Sequence, residues 1–212
     1  MIESSNCEIK RFCRCGTEET ILYHIKNDRR SVRSAEAIYA ALATLMQTRT
    51  LDEIKISELV AEAQVGRATF YRNFDTLEDV LHWRCEQVVE ELFAYLAQFA
   101  GPSQLQVPVP FVKPILRFFY LHSDIVELLI KARRVELLQL AIQERLLERS
   151  RLIPLQIDTP PDYLEYGGVI RAGMVVSVVV HWIREGKRQA PDDLADNLAQ
   201  MAEAMSRQHA LL

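Results

Sequence analysis

The chain has 212 residues, of which 49% are hydrophobic and 25% charged, and its formal net charge is −4 at neutral pH. This length can form a sizeable core and is consistent with two helical domains, one small and one larger. The negative net charge argues against a general nucleic-acid coat protein, because such proteins bind phosphates through a basic surface.

Residues 1–30 contain three thiols, Cys7, Cys13 and Cys15, followed by His24. Their spacing lacks the Cys-x2-Cys pairs of structural zinc sites, so a metal or thiol-sensing site is the less favoured interpretation. The favoured interpretation is a flexible or weakly helical extension. Because this start is polar and has no apolar signal core, we expect a cytoplasmic protein. We predict neither a cofactor nor a bound metal.

A first helix is predicted from about Ser31 or Ser34 to Gln47. Its inward face has apolar residues at helical spacing, namely Ala35, Ile38, Ala41, Leu42 and Leu45. We expect this helix to brace the pair of helices that follows.

Two short helices joined by a tight turn are predicted in residues 56–74. Ser57 is expected to cap the first helix, and Val65 to pack between the two. Gly66 is expected to end the turn with a positive φ, which glycine tolerates best. Two aromatic residues at i, i+4 spacing face inward from the second helix: Phe70 and Phe74.

The outward face of the second helix carries side chains suited to base edges and phosphates. The predicted DNA contacts on this helix are Arg67, Ala68, Thr69, Tyr71, Arg72 and Asn73. An arginine near the start of such a helix can pair with guanine O6 and N7. Flanking DNA contacts are predicted at Lys55, Ser57, Thr76 and Arg33. The alternative is an ordinary helical pair that exposes these side chains by chance.

The sequence Thr-Phe-Tyr-x-x-Phe at positions 69–74 follows Ile38-Tyr39-Ala40-Ala41-Leu42 and the segment 56–65 at characteristic distances. On these residues, the segment from Ile38 to Leu81 resembles the DNA-binding domain of the TetR family of transcriptional regulators. It covers about a fifth of the chain. The resemblance implies an all-α protein with an N-terminal three-helix helix-turn-helix domain and a larger helical sensor and dimerisation domain.

The chain departs from the family pattern at Leu77, where the family usually has a phosphate-binding lysine. We expect Lys55, Arg33 or Arg30 to supply the missing charge. The predicted organisation is an extension in residues 1–30, a DNA-binding domain in residues 31–76 and a sensor and dimerisation domain in residues 77–212.

A fourth helix is predicted to open at Thr76, with Asp79 completing a capping box, and to end before Gly101. In the family that this chain resembles, this helix links the DNA-binding domain to the sensor. Prolines up to Pro114 predict a loop and a helix start. Further helices are predicted at Ile115–Leu121, at Asp124–Lys131 after a Ser123 cap, at Val135–Arg151, from Pro161 to Glu185 before Gly186, and at Pro191–Gln208.

The longest apolar run, Ala172 to Ile183, is bounded by Arg171 and Arg184. Twelve residues are too few to span a bilayer, so this run predicts a helix buried on most sides. The sequence Trp182-Ile183-Arg184-Glu185-Gly186, followed by Pro191, is similar to the end of many TetR-type sensor domains. That resemblance implies a homodimer in which each subunit contributes two helices. The alternative is that both helices complete a monomeric core.

Polar residues among apolar neighbours are the candidate contacts for a small-molecule effector. They are Arg117, Tyr120, His122, Tyr163, Tyr166, Arg171 and His181. An effector pocket is implied by the family resemblance. The alternative is a hydrogen-bonded core residue, which is the more common role of a lone His or Tyr among apolar neighbours.

These features predict a homodimeric, sequence-specific DNA-binding regulator, a repressor that an unidentified effector releases from a near-palindromic operator. No membrane partner is expected. The chain has no glycine-rich phosphate loop, no Gly-x-Ser-x-Gly elbow and no His-Glu-x-x-His motif, so we expect no enzyme activity. The alternative function is a dimeric helical adaptor that has this fold but does not bind operator DNA.

Overall fold

The computed structural model describes residues 23–25, 29–99, 112–152 and 161–209, without the side chains of 149–152, 161–164, 206, 208 and 209. The described residues form α-helices, a short 3-10 helix at Leu51–Glu53 and one isolated antiparallel bridge between Tyr23 and Phe74. The predicted all-α class is confirmed. Three cysteines considered above lie outside the described residues: Cys7, Cys13 and Cys15.

The helices follow the predicted order. They are α1 (Arg29–Leu45), α2 (Ile56–Glu62), α3 (Arg67–Asn73), α4 (Leu77–Ala97), α5 (Val112–Leu121), α6 (Ser123–Ala132), α7 (Glu136–Leu152), α8 (Pro161–Arg184) and α9 (Pro191–His209). The start of α1 differs from the prediction, because the helix begins before Ser31 and Ser34. His122, and not Ser123, is the N-cap of α6.

The first three helices enclose a small apolar core. From α1 the buried residues include Ile38 and Leu42, from α2 Leu59, and from α3 Phe70, and all four are 0% exposed. Because α2 and α3 have only seven residues each, they are too short to be stable alone. Their orientation therefore depends on this core and on the elements that flank it.

Helix α4 connects this small core to the rest of the chain. Its N-cap is Thr76, whose Oγ1 accepts from the backbone N of Asp79 (3.2 Å), while Asp79 Oδ2 accepts from the backbone N of Thr76 (2.7 Å). The predicted capping box is confirmed, and Asp79 is only 6% exposed. Along α4, Val80, Leu81 and Val88 are fully buried, so the helix has contacts on several sides.

The remaining helices form a second layer around α4. Helix α7 packs against both α4 and α8, α6 packs against α8 and α4, and α5 lies against α4 and α9. Two polar contacts, one from the last turn of α6 and one from the α6–α7 turn, reach the α1–α2 connection and the start of α4. Lys131 Nζ donates to the backbone O of Gln47 (2.6 Å), and Arg134 Nε donates to Glu78 Oε2 (2.8 Å). The hydrogen bond to Glu78 raises the pKa of Arg134.

Helix α8 is buried along most of its apolar run and leaves one stripe of side chains exposed. One side packs inward through Ala172, Val176 and Val179, whereas Ile170 is 61% and Met174 is 64% exposed. The 20-residue stretch Glu165–Arg184 is long and apolar enough to cross a membrane, judged by length and composition alone. In the structure, 39% of its most apolar part is buried. The argument that this run is too short to span a bilayer considered twelve residues only and was therefore too narrow. Within Ala172–Ile183 only Met174, Ser177 and His181 are exposed, so the predicted burial on most sides is confirmed for that run.

Candidate nucleic-acid interface

The turn between α2 and α3 is built differently from the sequence prediction. Gly66 has a φ of −76°, and the left-handed residue is Gln64, with a φ of 53°. Gln64 N donates to Ala61 O (3.2 Å) and Val65 N donates to Val60 O (3.0 Å), the two bonds of a Schellman motif. The motif places Val65 against the core, as predicted, and leaves Gly66 as the N-cap of α3.

The N-cap of helix α2 lies two residues before the predicted cap. Lys55 is its N-cap, and Ser57 lies exposed inside the first turn, so the prediction that Ser57 caps the helix is wrong. The backbone N of Lys55 donates to Glu58 Oε2 (3.0 Å), and Arg49 Nη1 donates to Glu58 Oε1 (3.1 Å). These contacts lower the pKa of Glu58, first through the Lys55 backbone bond and then through Arg49.

Two aromatic residues hold α3 from behind. Phe70 and Phe74 are both 0% exposed, with ring centroids 6.0 Å apart. Phe74 also packs edge-on against Trp83 of α4 at 6.1 Å. The predicted inward pair is confirmed, and it fixes which face of α3 points to solvent.

The outward face of α3 presents Arg67, Ala68, Tyr71 and Arg72, and Thr69 is half-buried beside them. Tyr71 is 53% exposed, and its ring meets the edge of Phe70 at 5.4 Å. Among the described residues neither arginine of α3 is in an ion pair. The exposed face of α3 therefore carries hydrogen-bond donors and an aromatic ring, while the opposite face is packed into the core. Side chains that contact a major groove require this arrangement.

Asn73 is a correction, because the sequence placed it on the solvent-facing side of α3. It is 0% exposed, and its Oδ1 accepts from Ser31 Oγ of α1 (2.8 Å). Its Nδ2 has no hydrogen-bond partner among the described residues. The last turn of α3 rotates this residue toward α1, so Asn73 joins α3 to α1 and does not belong to the exposed face of α3.

The other predicted contacts surround α3. Four are exposed: Arg33 on α1, Lys55 and Ser57 at the start of α2, and Thr76 at the cap of α4. Leu77 is half-buried and packs against the core, so its aliphatic side chain has a packing role at the position of the family's lysine. Arg30 is exposed on α1 and remains a candidate for the missing charge, as do Lys55 and Arg33.

One contributor was missed by the sequence interpretation, which assigned residues 1–30 to an extension. Tyr23 pairs with Phe74 across the isolated bridge, and His24 N donates to Asn73 O (2.9 Å). His24 Nε2 lies 3.4 Å from Asp75 Oδ2. The alternating pattern Tyr23-His24-Ile25 is the signal that could have shown this extended segment.

Most of the predicted effector contacts are exposed to solvent in the single chain. Arg117, Tyr120, Tyr166, Arg171 and His181 are exposed, and only His122 is half-buried, stacked on Phe118 at 4.3 Å. The side chain of Tyr163 lies outside the described part. Arg117 donates twice to Asp192 (2.7 and 2.6 Å), and Arg171 Nε donates to Gly167 O (2.8 Å). The prediction that these side chains are embedded among apolar neighbours was therefore wrong for the five exposed residues.

A cleft between α4 and α7 is lined instead by Glu86, Val89, Glu90, Ala141, Glu144, Arg145 and Glu148. Arg145 of α7 donates across it to Glu90 of α4 (2.7 Å), and it also donates to Glu148 of its own helix (2.9 Å). None of the predicted effector residues with a described side chain lines this cleft. Within the described ranges, no group of three His, Cys, Asp or Glu side chains is placed to hold a metal ion.

Comparison by sequence gives a partial match. No family model matches the chain. A segment of 75 residues, 35% of the chain, is 32% identical to the HTH-type dhaKLM operon transcriptional activator DhaS of Lactococcus lactis. The match spans 40% of the length of that curated relative.

Comparison by structure covers most of the chain. Lin0861 from Listeria innocua superposes with a TM-score of 0.70 at 18% identity, over 84% of this chain and 93% of that one. A TetR transcriptional regulator from Streptococcus agalactiae gives 0.52 at 21% identity, over 82% and 96%. The TetR family repressor AlkX from Dietzia gives 0.51 at 16% identity, over 82% and 95%. The resemblance to the TetR family is thereby confirmed at the level of the fold.

Proposed function

We propose that this chain, which has the fold of the TetR-family regulators, is itself a member of that family and binds a double-stranded DNA operator through α3. The observation that carries the proposal is the outward face of α3, where Arg67, Tyr71 and Arg72 are exposed while Phe70 and Phe74 are fully buried. The partial match to a transcriptional activator supports the same class of function.

Within this proposal, Arg67 contacts a base edge, Tyr71 and Thr69 contact the backbone or a thymine methyl group, and Arg72 contacts phosphate oxygens. Exposed residues around α3 contact phosphates: Arg33, Lys55, Ser57 and Thr76. Arg33 and Lys55 supply the charge that Leu77 lacks. Such a local basic surface is compatible with the acidic net charge of the chain.

We also propose a homodimer formed through α8 and α9. Both helices expose large apolar side chains, with Ile170 at 61%, Met174 at 64%, Met201 at 54% and Met205 at 55%. An exposed apolar surface of this kind is typical of an interface, and a second copy would cover it by two-fold symmetry. The dimer would present two α3 helices to successive major grooves about 34–36 Å apart, or a multiple of that, on a near-palindromic operator.

The regulator is proposed to be a cytoplasmic repressor whose effector shifts the population toward a spacing of the α3 helices that no longer fits the operator. Activation is the second candidate, because the partly matching protein of Lactococcus lactis is a transcriptional activator. Neither role involves catalysis.

The experiment selects duplexes from a random-sequence library with the wild-type chain and measures affinity for the selected duplex at several salt concentrations. Arg67→Ala should cost about 1–3 kcal/mol of binding free energy and relax the preference at one base pair. Tyr71→Ala should weaken binding without changing sequence preference. Arg188→Ala, at an arginine 80% exposed in the α8–α9 connection, is the matched control and should bind like wild type.

Two outcomes would contradict the proposal. If the wild-type chain enriches no duplex, it does not act as an operator-binding regulator, and the helical adaptor is favoured. If it does enrich a duplex but Arg67→Ala and Tyr71→Ala bind like wild type, DNA is read by another surface.

A further inference from the structure

The residues just before α1 lie against the end of the reading helix. Tyr23 and Phe74 form an antiparallel bridge, and His24 N donates to the backbone O of Asn73 (2.9 Å). Phe74 N in turn donates to Phe70 O (2.8 Å) and closes α3. The segment 23–25 therefore continues the hydrogen bonding beyond the last turn of a seven-residue helix.

Tyr23 also contacts helix α4. Its hydroxyl donates to Glu86 Oε2, and its ring lies 6.4 Å from the ring of Phe74 and 6.2 Å from that of His82. Glu86 is 8% exposed and His82 is 4% exposed, so the carboxylate that accepts this bond is removed from water. A hydrogen bond to a buried carboxylate is short and directional, and it fixes geometry more strongly than a neutral one.

The end of α3 thus has two independent attachments. The backbone O of Asn73 is held by the segment 23–25, and its side-chain Oδ1 is held by Ser31 of α1 (2.8 Å). Phe70 and Phe74 fix which face of α3 points outward. The two attachments at Asn73 fix the angle at which the C-terminal end of α3 leaves the core.

We propose that the segment 23–25 belongs to the DNA-reading unit and that Tyr23 is a positioning residue, which sets the orientation of α3 through its hydrogen bond to Glu86. The inference rests on the proposed function, because orientation matters for base contacts only if α3 reads DNA. Base contacts depend on the angle of the helix in the groove, whereas phosphate attraction does not. Loss of the bond should therefore reduce specific binding more than non-specific binding.

The test uses the full chain and three variants, Tyr23→Phe, Glu86→Gln and the double variant. Tyr23→Phe keeps the ring that packs on Phe74 and removes only the hydroxyl. Tyr95→Phe is the matched control, since it makes the same change on the sensor side of the molecule, where Tyr95 packs on Phe99 and Phe118. The probes are the duplex that the wild-type chain selects from a random library and a scrambled duplex of equal length.

For Tyr23→Phe we expect the ratio of specific to scrambled-duplex affinity to fall by about tenfold, a factor that corresponds to 1.4 kcal/mol. Binding to the scrambled duplex should stay unchanged at a temperature where the variant is fully folded. Hydrogen exchange in the peptide covering 67–74 should accelerate without DNA. Glu86→Gln, which removes the charge of the acceptor, should lower the affinity ratio in the same direction. The double variant should lose less than the two single losses combined, because both changes act on the same hydrogen bond.

A purely structural role would lower the unfolding temperature but leave the affinity ratio as in Tyr95→Phe. That result, with Arg67→Ala still impaired, would overturn the role of Tyr23 and leave the proposed function standing. If the wild-type chain selects no duplex, both are overturned. Circular dichroism verifies folding, and Glu86→Gln, which keeps an acceptor oxygen, tests the same bond if Tyr23→Phe does not fold.

Discussion

The unit α1–α3, which is proposed to read DNA and is called the reading unit below, and the region α5–α9, which is proposed to be the sensor region, expose different kinds of surface. On α3 the large exposed side chains are polar or aromatic, such as Arg67 and Tyr71, and the opposite face carries the fully buried pair Phe70 and Phe74. On α8 the exposed residues include Ile170 and Met174, which a single chain leaves uncovered. A hydrophilic face on an anchored helix suits contact with a polar ligand such as DNA, whereas an apolar face suits contact with another protein surface.

The largest expected effect concerns the anchor of the reading unit. Phe70→Ala should lower the free energy of unfolding by about 3–5 kcal/mol, because it opens a cavity in a fully buried site. Tyr71→Ala, the next residue along the chain and 53% exposed, is the matched control and should change stability by no more than about 0.5 kcal/mol. Urea denaturation measures both, and equal losses at the two positions would remove the contrast between the faces of α3.

The apolar face of the sensor region is tested by its oligomeric state. Ile170→Glu should weaken self-association by about a hundredfold or more, since two-fold symmetry places two unpaired carboxylates in one apolar interface. Leu121→Glu is the control, because Leu121 is 77% exposed at the end of α5 and lies outside α8 and α9. Sedimentation equilibrium measures the masses. An Ile170→Glu chain that remains dimeric would show that α8 does not form the interface.

Asn73 separates support of the reading helix from reading itself. Asn73→Ala should destabilise the fold by about 1–3 kcal/mol, because the buried hydroxyl of Ser31 loses its acceptor. Base preference should be unchanged among duplexes selected by the variant. Unchanged stability with relaxed preference at one base pair would instead support the original interpretation of Asn73 as a DNA contact.

The difference between the two regions also determined what the sequence could predict. Helix order, the inward pair Phe70 and Phe74, and the cap at Thr76 follow from local spacing, and they were predicted correctly. The burial of Asn73 and the contact of Tyr23 with Glu86 depend on residues 42 and 63 positions apart in the chain. No local pattern encodes such pairings.

The sensor region was harder for the same reason. Arg117 was predicted as an effector contact because it lies in the apolar sequence of α5, but its periodicity places it on the exposed side of that helix. Its partner Asp192 belongs to α9, 75 positions along the chain. The left-handed turn residue is a smaller case, since Gly66 was the expected position and the Schellman geometry placed it at Gln64.

The smallest expected effect tests whether Arg117 links α5 to α9. The hydrogen bonds from Arg117 lower the pKa of Asp192 below its ordinary value of 3.8, so the ion pair contributes stability above that value and loses it as the pH falls through the lowered pKa. Arg117→Gln should therefore unfold at a slightly lower temperature than wild type at pH 7. In stronger acid, where Asp192 is protonated, the difference should vanish.

Because both groups are exposed, the shift at pH 7 should be small and should shrink further in high salt. Thermal unfolding followed by circular dichroism at both pH values measures it. Identical midpoints at pH 7 and low salt would mean that the pair does not hold α5 to α9, which would leave the guanidinium available to another partner.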